Sequence, residues 1–157
     1  MVNNNIDNFM LLAIEQAQIA SNIGEVPVGA VVVYDNQIIG VGHNRRMVDA
    51  DATAHAEIMA IRQAGQTLQR WNLSDCDLWV TLEPCPMCAG AIVNARIRTV
   101  YFGATDSKFG AMGSQYKIGI DGLLNHTTKV INGVLQDQCS QLLSNFFAQL
   151  RKDKPKK

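Results

Sequence analysis

Two short runs of this chain could do chemistry together. His55-Ala56-Glu57 and Pro84-Cys85-Pro86-Met87-Cys88 supply three side chains that bind zinc, His55, Cys85 and Cys88, and one carboxylate, Glu57, that is left over. A structural zinc site closes its tetrahedron with four protein ligands, whereas a catalytic site keeps three and leaves the fourth position to water or substrate. Three ligands therefore point to one zinc ion per chain and an activated water. Cys85 and Cys88 are three apart, which puts both sulfurs on one face if a helix begins there, and Pro86 suits its first turn. A helix N-terminus also favours the thiolate that zinc requires. His55 and Glu57 are two apart and cannot share a face of a regular helix. His55 is accordingly read as the ligand and Glu57 as the group that carries protons to and from the water. The competing reading is a structural zinc knot completed by Cys76, Cys139 or another histidine. The extra carboxylate and the proline before Cys85 weigh against it.

The elements that position these residues belong to a chain of 157 residues, 47% hydrophobic, the size of one domain with one buried core. No apolar stretch has transmembrane length, and Asp7 and Glu15 interrupt the N-terminus where a leader would be basic and then apolar. A cytoplasmic protein without a membrane partner is expected. In such a reducing compartment Cys76 and Cys139 are expected to be free buried thiols. The 14 basic and 14 acidic side chains cancel, but Arg151, Lys152, Lys154, Lys156 and Lys157 crowd the end of an otherwise net-acidic chain. The division expected is a single domain over 1–150 and a basic tail over 151–157, the tail either binding phosphates or simply solvated.

Ile6, Met10, Ala13, Ile14, Ala17 and Ala20 recur at helical spacing, with Gly24 just past the end. Gly29 to Tyr34 and Gln37 to Gly42 read as an antiparallel hairpin turned at Asp35-Asn36. Asn44 to Asp51 is a polar loop, and Thr53 is placed to cap a helix from Ala54 to about Gly65. Leu78 to Leu82 reads as a buried strand, followed by the cysteine helix to about Ala95 and a strand from Thr99 to Gly103. That order implies a right-handed parallel crossover, so the fold expected is α/β, a three-layer α/β/α sandwich with a mixed central sheet. Both metal half-sites then start helices at one edge of the sheet. Ala104 to Gly119 is too long for a plain connector and is a candidate substrate loop. A short strand near Val130 and an amphipathic helix through Leu135, Cys139, Leu142, Leu143, Phe146 and Phe147 close the chain.

Taken together, Glu25-Val26-Pro27-Val28-Gly29-Ala30, Gly42-His43-Asn44-Arg45, Thr53-Ala54-His55-Ala56-Glu57, Leu82 through Ala91 and Phe102 through Ser114 resemble the bacterial tRNA-specific adenosine deaminases, of the cytidine deaminase-like superfamily, over almost the whole chain. The His-x-Glu with Pro-Cys-x-x-Cys matches the signature of the zinc nucleobase deaminases. The resemblance implies conversion of adenosine to inosine at the wobble position of an anticodon stem-loop, and a homodimer. It implies that Asn44 holds the flipped nucleotide, that Val28 and Leu82 wall the base, and that Asp106 with Lys108 contacts neighbouring nucleotides. Ala52 stands where the family usually has proline, and Ala148-Gln149 follow the Phe pair where basic residues are common.

Two other functions are expected to compete: deamination of free guanine, cytosine or a nucleoside, and a non-catalytic zinc protein that binds RNA. Asn44 alone would read as a turn former. Arg45 and Arg46, like Arg151 and Lys152, are candidates for RNA backbone contacts, with solvated surface charge as the alternative; Arg96 and Arg98 are read in the same two ways. His43 and His126 are expected in surface or hydrogen-bonded roles, the methionines Met10, Met59, Met87 and Met112 in core or pocket filling. Glu83 is expected to hold the cysteine turn through hydrogen bonds.

Overall fold

Alternation of small and β-branched residues builds the centre of the fold, in a computed structural model that describes residues 4–155. Lys156 and Lys157, counted above in the basic tail, lie outside the described residues. The elements in chain order are α1 (Asn4–Asn22), β1 (Gly29–Tyr34), β2 (Gln37–His43), α2 (Ala56–Leu68), β3 (Cys76–Leu82), α3 (Pro86–Ala95), β4 (Thr99–Ala104), β5 (Lys129–Ile131) and α4 (Gln136–Lys152). They form one five-stranded sheet in the order β2-β1-β3-β4-β5. β1 runs antiparallel to β2 and β3, whereas β3, β4 and β5 are parallel, so the sheet is mixed as expected.

Period-2 alternation splits the strands between two cores. Ala30, Val32, Leu78, Val80, Val100 and Phe102 pack with Ala56, Ala60 and Ala64 of α2 and Ala89 and Ile92 of α3. Val31, Val33 and Trp79 face the other way, onto Met10, Ala13 and Ile14 of α1 and Cys139 of α4. Helices on both faces give the expected α/β/α sandwich. On the α1 side, Trp79 stacks on Tyr101 at 4.2 Å between ring centres and donates its indole N–H to the carbonyl of Ile6. The hairpin turns where predicted, with Asp35 at φ 47° and Asn36 at φ 63°. Successive positive φ values are those of the tight turn whose twist suits two antiparallel strands.

The sequence-based bounds of α2 need correction. The helix begins at Ala56, two residues later than expected, and His55 occupies the N-cap position without a side-chain cap bond. Thr53 caps nothing: its hydroxyl and its backbone N–H both donate to the Asp51 carboxylate and close a turn ahead of the helix. Gly65 does not end the helix, which continues to Leu68 and stops at Gln69 in the left-handed region. α4 likewise carries past residue 150, so Arg151 and Lys152 sit in its last turn, where cations complement the helix dipole. Met10 and Met112 fill core as expected, but Met87 is partly exposed. No helix among the described residues is long and apolar enough to cross a membrane.

This topology gathers four chain segments at one end of the sheet. Because β1 opposes both neighbours, its N-terminus lies beside the C-termini of β2 and β3, and β4 is parallel to β3. Val28, Asn44, Leu82 and Thr105 are therefore brought to the same edge, outside the carboxyl ends of the parallel strands where sites in open α/β sheets form.

Candidate active site

Two helices begin at this edge, and both give their N-cap positions to potential metal donors. His55 precedes α2 in an extended conformation (φ −82°, ψ 155°), and Cys85 precedes α3 in another (φ −73°, ψ 172°). Neither side chain caps its helix, although a Ser, Thr, Asp or Asn at this position typically adds about 1 kcal/mol. Instead His55 Nδ1 lies 3.6 Å from Cys85 Sγ and 3.5 Å from Cys88 Sγ. The three donor atoms lie within 4.8 Å of one another, a cluster that could hold a metal ion. Pro86 takes the first helical position of α3, and the turn from Cys85 to Cys88 is closed by a bond from Ala89 N–H to the Cys85 carbonyl. The expected pairing of the two sulfurs on one helical turn is thus present.

Electrostatics in this cluster follow from burial and from two sulfurs sharing protons. The Cys85 thiol is drawn down to about 4, first by the hydrogen bond from Cys88 and then, against the opposing pull of burial, by that from His55. Cys88, which donates that bond and is fully buried, is pushed well above the usual thiol range. His55 is raised, chiefly by its hydrogen bond to Cys85. The N-termini of α2 and α3 converge here, and their positive ends favour thiolate character. Glu57 lies in the first turn of α2, 4% exposed. Burial raises its pKa above the ordinary carboxylate value, the direction that suits a group passing protons near neutrality.

A cavity of about 720 Å³ opens above the cluster. Of the residues singled out from the sequence, His55, Glu57, Cys85, Asn44, Val28, Leu82, Asp106, Lys108 and Arg46 all line it. Asn44 is oriented at both ends of its amide: its Nδ2 donates to the Val26 carbonyl and its Oδ1 accepts from Arg46 N–H. It is a turn former and a pocket residue at once. Asp106 Oδ1 accepts from the N–H groups of Lys108 and Phe109, which shapes the loop that brings both to the cavity. Arg45, Arg151 and Lys152 are not in the wall. Arg45 pairs instead with Asp49 at 2.8 Å, Arg98 pairs with Asp77, and Arg96 lies over the Trp71 ring. His126 donates through Nε2–H to the Ile97 carbonyl at 2.8 Å, and His43 meets the Gln16 side-chain oxygen through Nδ1. Cys76 and Cys139 are free and buried, outside the donor cluster.

Sequence reasoning missed the apolar rim made by Val26, Phe109, Leu143 and Phe147. The Phe146-Phe147 pair was visible only as the apolar face of a helix. It also missed Glu25, which is 1% exposed and accepts from the N–H groups of Met47 and Val48 at 2.7 Å each, holding the Asn44–Asp51 loop. Glu83 is hydrogen-bonded as expected, but its carboxylate takes no partner from within the cysteine turn. The partners of the carboxylate lie on the loop after β4.

Comparison with known proteins agrees with this geometry. The family model of MafB19-like deaminases matches residues 4–151. A tRNA-specific adenosine deaminase of Haemophilus influenzae is 48% identical over 149 residues, covering 94% of this chain and 86% of that one. A structure solved in work on A-to-I editing by tRNA:A34 deaminases at the wobble position of transfer RNA superposes with a TM-score of 0.84 at 43% identity, over 87% of this chain and 99% of that one. The guanine deaminase of Nitrosomonas europaea superposes with a TM-score of 0.79 at 25% identity, over 90% and 84% of the two chains.

Proposed function

From a chain that belongs to the MafB19-like deaminases, and within them to the tRNA-specific adenosine deaminases, we propose an enzyme that hydrolytically deaminates adenosine to inosine at the wobble position of a tRNA anticodon. The observation that carries the reading is the placing of Glu57 beside a three-donor cluster in one cavity with Asn44. A closed four-ligand knot would leave no use for that carboxylate. For the same reason a non-catalytic zinc protein that binds RNA is the weaker reading.

Zinc is the ion that the donor set suits. Tetrahedral bonds of about 2.3 Å to sulfur and about 2.05 Å to nitrogen place a sulfur and a nitrogen on one ion about 3.6 Å apart. His55 Nδ1 stands 3.5 and 3.6 Å from the two sulfurs. His55, Cys85 and Cys88 would hold the ion. When bound, it would hold a water and lower its pKa towards about 7, so that a nucleophile is present at neutral pH.

The chain's own residues supply the rest. The flipped adenine enters between the apolar walls made by Val26, Val28 and Leu82, and Asn44 steadies its nucleotide. Glu57 takes a proton from the attacking water and delivers it to ring nitrogen 1 as carbon 6 gains oxygen. It then moves a second proton to the amine as the bond from carbon 6 to nitrogen breaks, so that adenosine and water become inosine and ammonia. Asp106 and Lys108 face the flanking nucleotides, and Arg46 the backbone. The homodimer rests on the family resemblance alone, and the cytoplasm as the place of action on the expectation drawn from the sequence.

The test is the inosine content of an anticodon stem-loop after incubation with purified protein, with free guanine, cytosine and adenosine run in parallel. Inosine at the first anticodon position supports the reading. Guanine turnover without inosine would favour the second reading, which the fold shared with guanine deaminase keeps in view.

A further inference from the structure

Glu83 stands two residues before Cys85 and is 3% exposed, yet it belongs to no ligand set. All the partners of its carboxylate are donors. Oε1 accepts from Asp106 N–H at 3.2 Å and from the Ser114 hydroxyl at 2.5 Å; Oε2 accepts from Met112 N–H at 3.2 Å and Ser114 N–H at 3.0 Å. These donors bracket the segment that carries Asp106, Ser107, Lys108 and Phe109 into the cavity wall. Gly110 closes over the carboxylate so tightly that an added Cβ would collide with the Glu83 carboxyl group.

We propose that Glu83 is a positioning residue for the substrate: its carboxylate ties the Asp106–Ser114 segment to the cysteine turn. The wall that presents Asp106 and Lys108 then keeps a fixed separation from Cys85. This rests on the reading above, that these two residues face the nucleotides beside the target adenosine. The chemistry demands an acceptor at both oxygens, because four donors converge on them and a carboxylate offers about four lone-pair sites and no hydrogen. A glutamine there would turn one end into a donor facing N–H groups, leaving the segment short of its anchor while the backbone before Cys85 stays in place.

The experiment compares the zinc-loaded wild type with Glu83→Gln and Ser114→Ala on an anticodon stem-loop. Expected for Glu83→Gln are unchanged metal content, a KM raised about tenfold to a hundredfold, a kcat that falls by less than KM rises, and faster hydrogen exchange at the Met112 and Ser114 amides. Ser114→Ala removes one donor and keeps the N–H bonds, so KM should rise about two- to tenfold. Should Glu83→Gln fail to fold, Ser114→Ala decides. A wild type that ignores the stem-loop would fail the substrate reading, and the exchange rates would still test the tie. Unchanged KM with only a lower melting temperature, unchanged amide exchange, or loss of metal in Glu83→Gln would each overturn the proposal.

Discussion

Gly42→Ala tests whether the proposed metal site depends on how closely β2 lies on α2. Gly42 sits opposite Ala30 in the hairpin, with its α-carbon against the first turns of α2. An added Cβ would stand 2.7 Å from Ala60 N and 2.8 Å from Met59 Cβ, and closer still to the Ala56 carbonyl oxygen. Ordinary contact begins near 3.4 Å, so α2 must retreat by at least about 0.7 Å, since backbone atoms cannot rotate aside. His55 immediately precedes α2, and its nitrogen meets two sulfurs at the start of α3. Metal-ligand distances tolerate about 0.2 Å, so a shift of that size exceeds what the site can absorb. The expected outcome is a stability loss of about 1–3 kcal/mol, weaker retention of zinc under a competing chelator, and a fall in kcat of about a hundredfold. Two controls separate the causes. Gly40→Ala presses on the same helix further along, against Ala64 N at 2.9 Å, and should cost similar stability while keeping more metal. Gly90→Ala, inside α3 with open space around it, should raise stability by about 0.5–1 kcal/mol and leave metal and rate unchanged. Wild-type zinc affinity and full rate in Gly42→Ala would refute the argument that α2 is held rigidly to the site by this contact.

Glu57→Gln should lower kcat by at least about a hundredfold while keeping one zinc per chain by elemental analysis; loss of zinc would make Glu57 a ligand. Cys85→Ala and Cys88→Ala should lose metal and activity together, whereas Cys76→Ala and Cys139→Ala, outside the donor cluster, should lower only the melting temperature. Stem-loop binding should weaken with salt at a slope of about 0.7 per neutralised phosphate. Arg46→Ala, a change in the cavity wall, should reduce that slope more than Arg45→Ala, whose guanidinium is already paired with Asp49; equal slopes would remove Arg46 from the backbone contact.

What the sequence made legible was local chemistry. Asp35-Asn36 marks its turn because few residues accept positive φ, and the structure has both there. Pro84-Cys85-Pro86-Met87-Cys88 is legible for a similar reason: three-residue spacing behind a proline sets two sulfurs on one turn without help from the rest of the chain. The start of α2 was not legible, because Thr53 is a better cap by type than His55. The competition was decided by partners 30 and 33 residues away, the two sulfurs toward which the imidazole points. Glu25 and Glu83 show the same limit. A buried acceptor and a solvated carboxylate look alike in a sequence, and these two find their donors 22 to 31 residues on. Each sits beside a segment the sequence does identify, the Val26–Gly29 run and the cysteine turn, and each holds one of the two polar loops that wall the cavity. The His55, Cys85 and Cys88 cluster is therefore placed by helix starts, and two walls of the cavity by long-range hydrogen bonds to buried carboxylates. Those two kinds of constraint can be altered separately, so the Asp106–Ser114 wall can change while the donor cluster stays as it is.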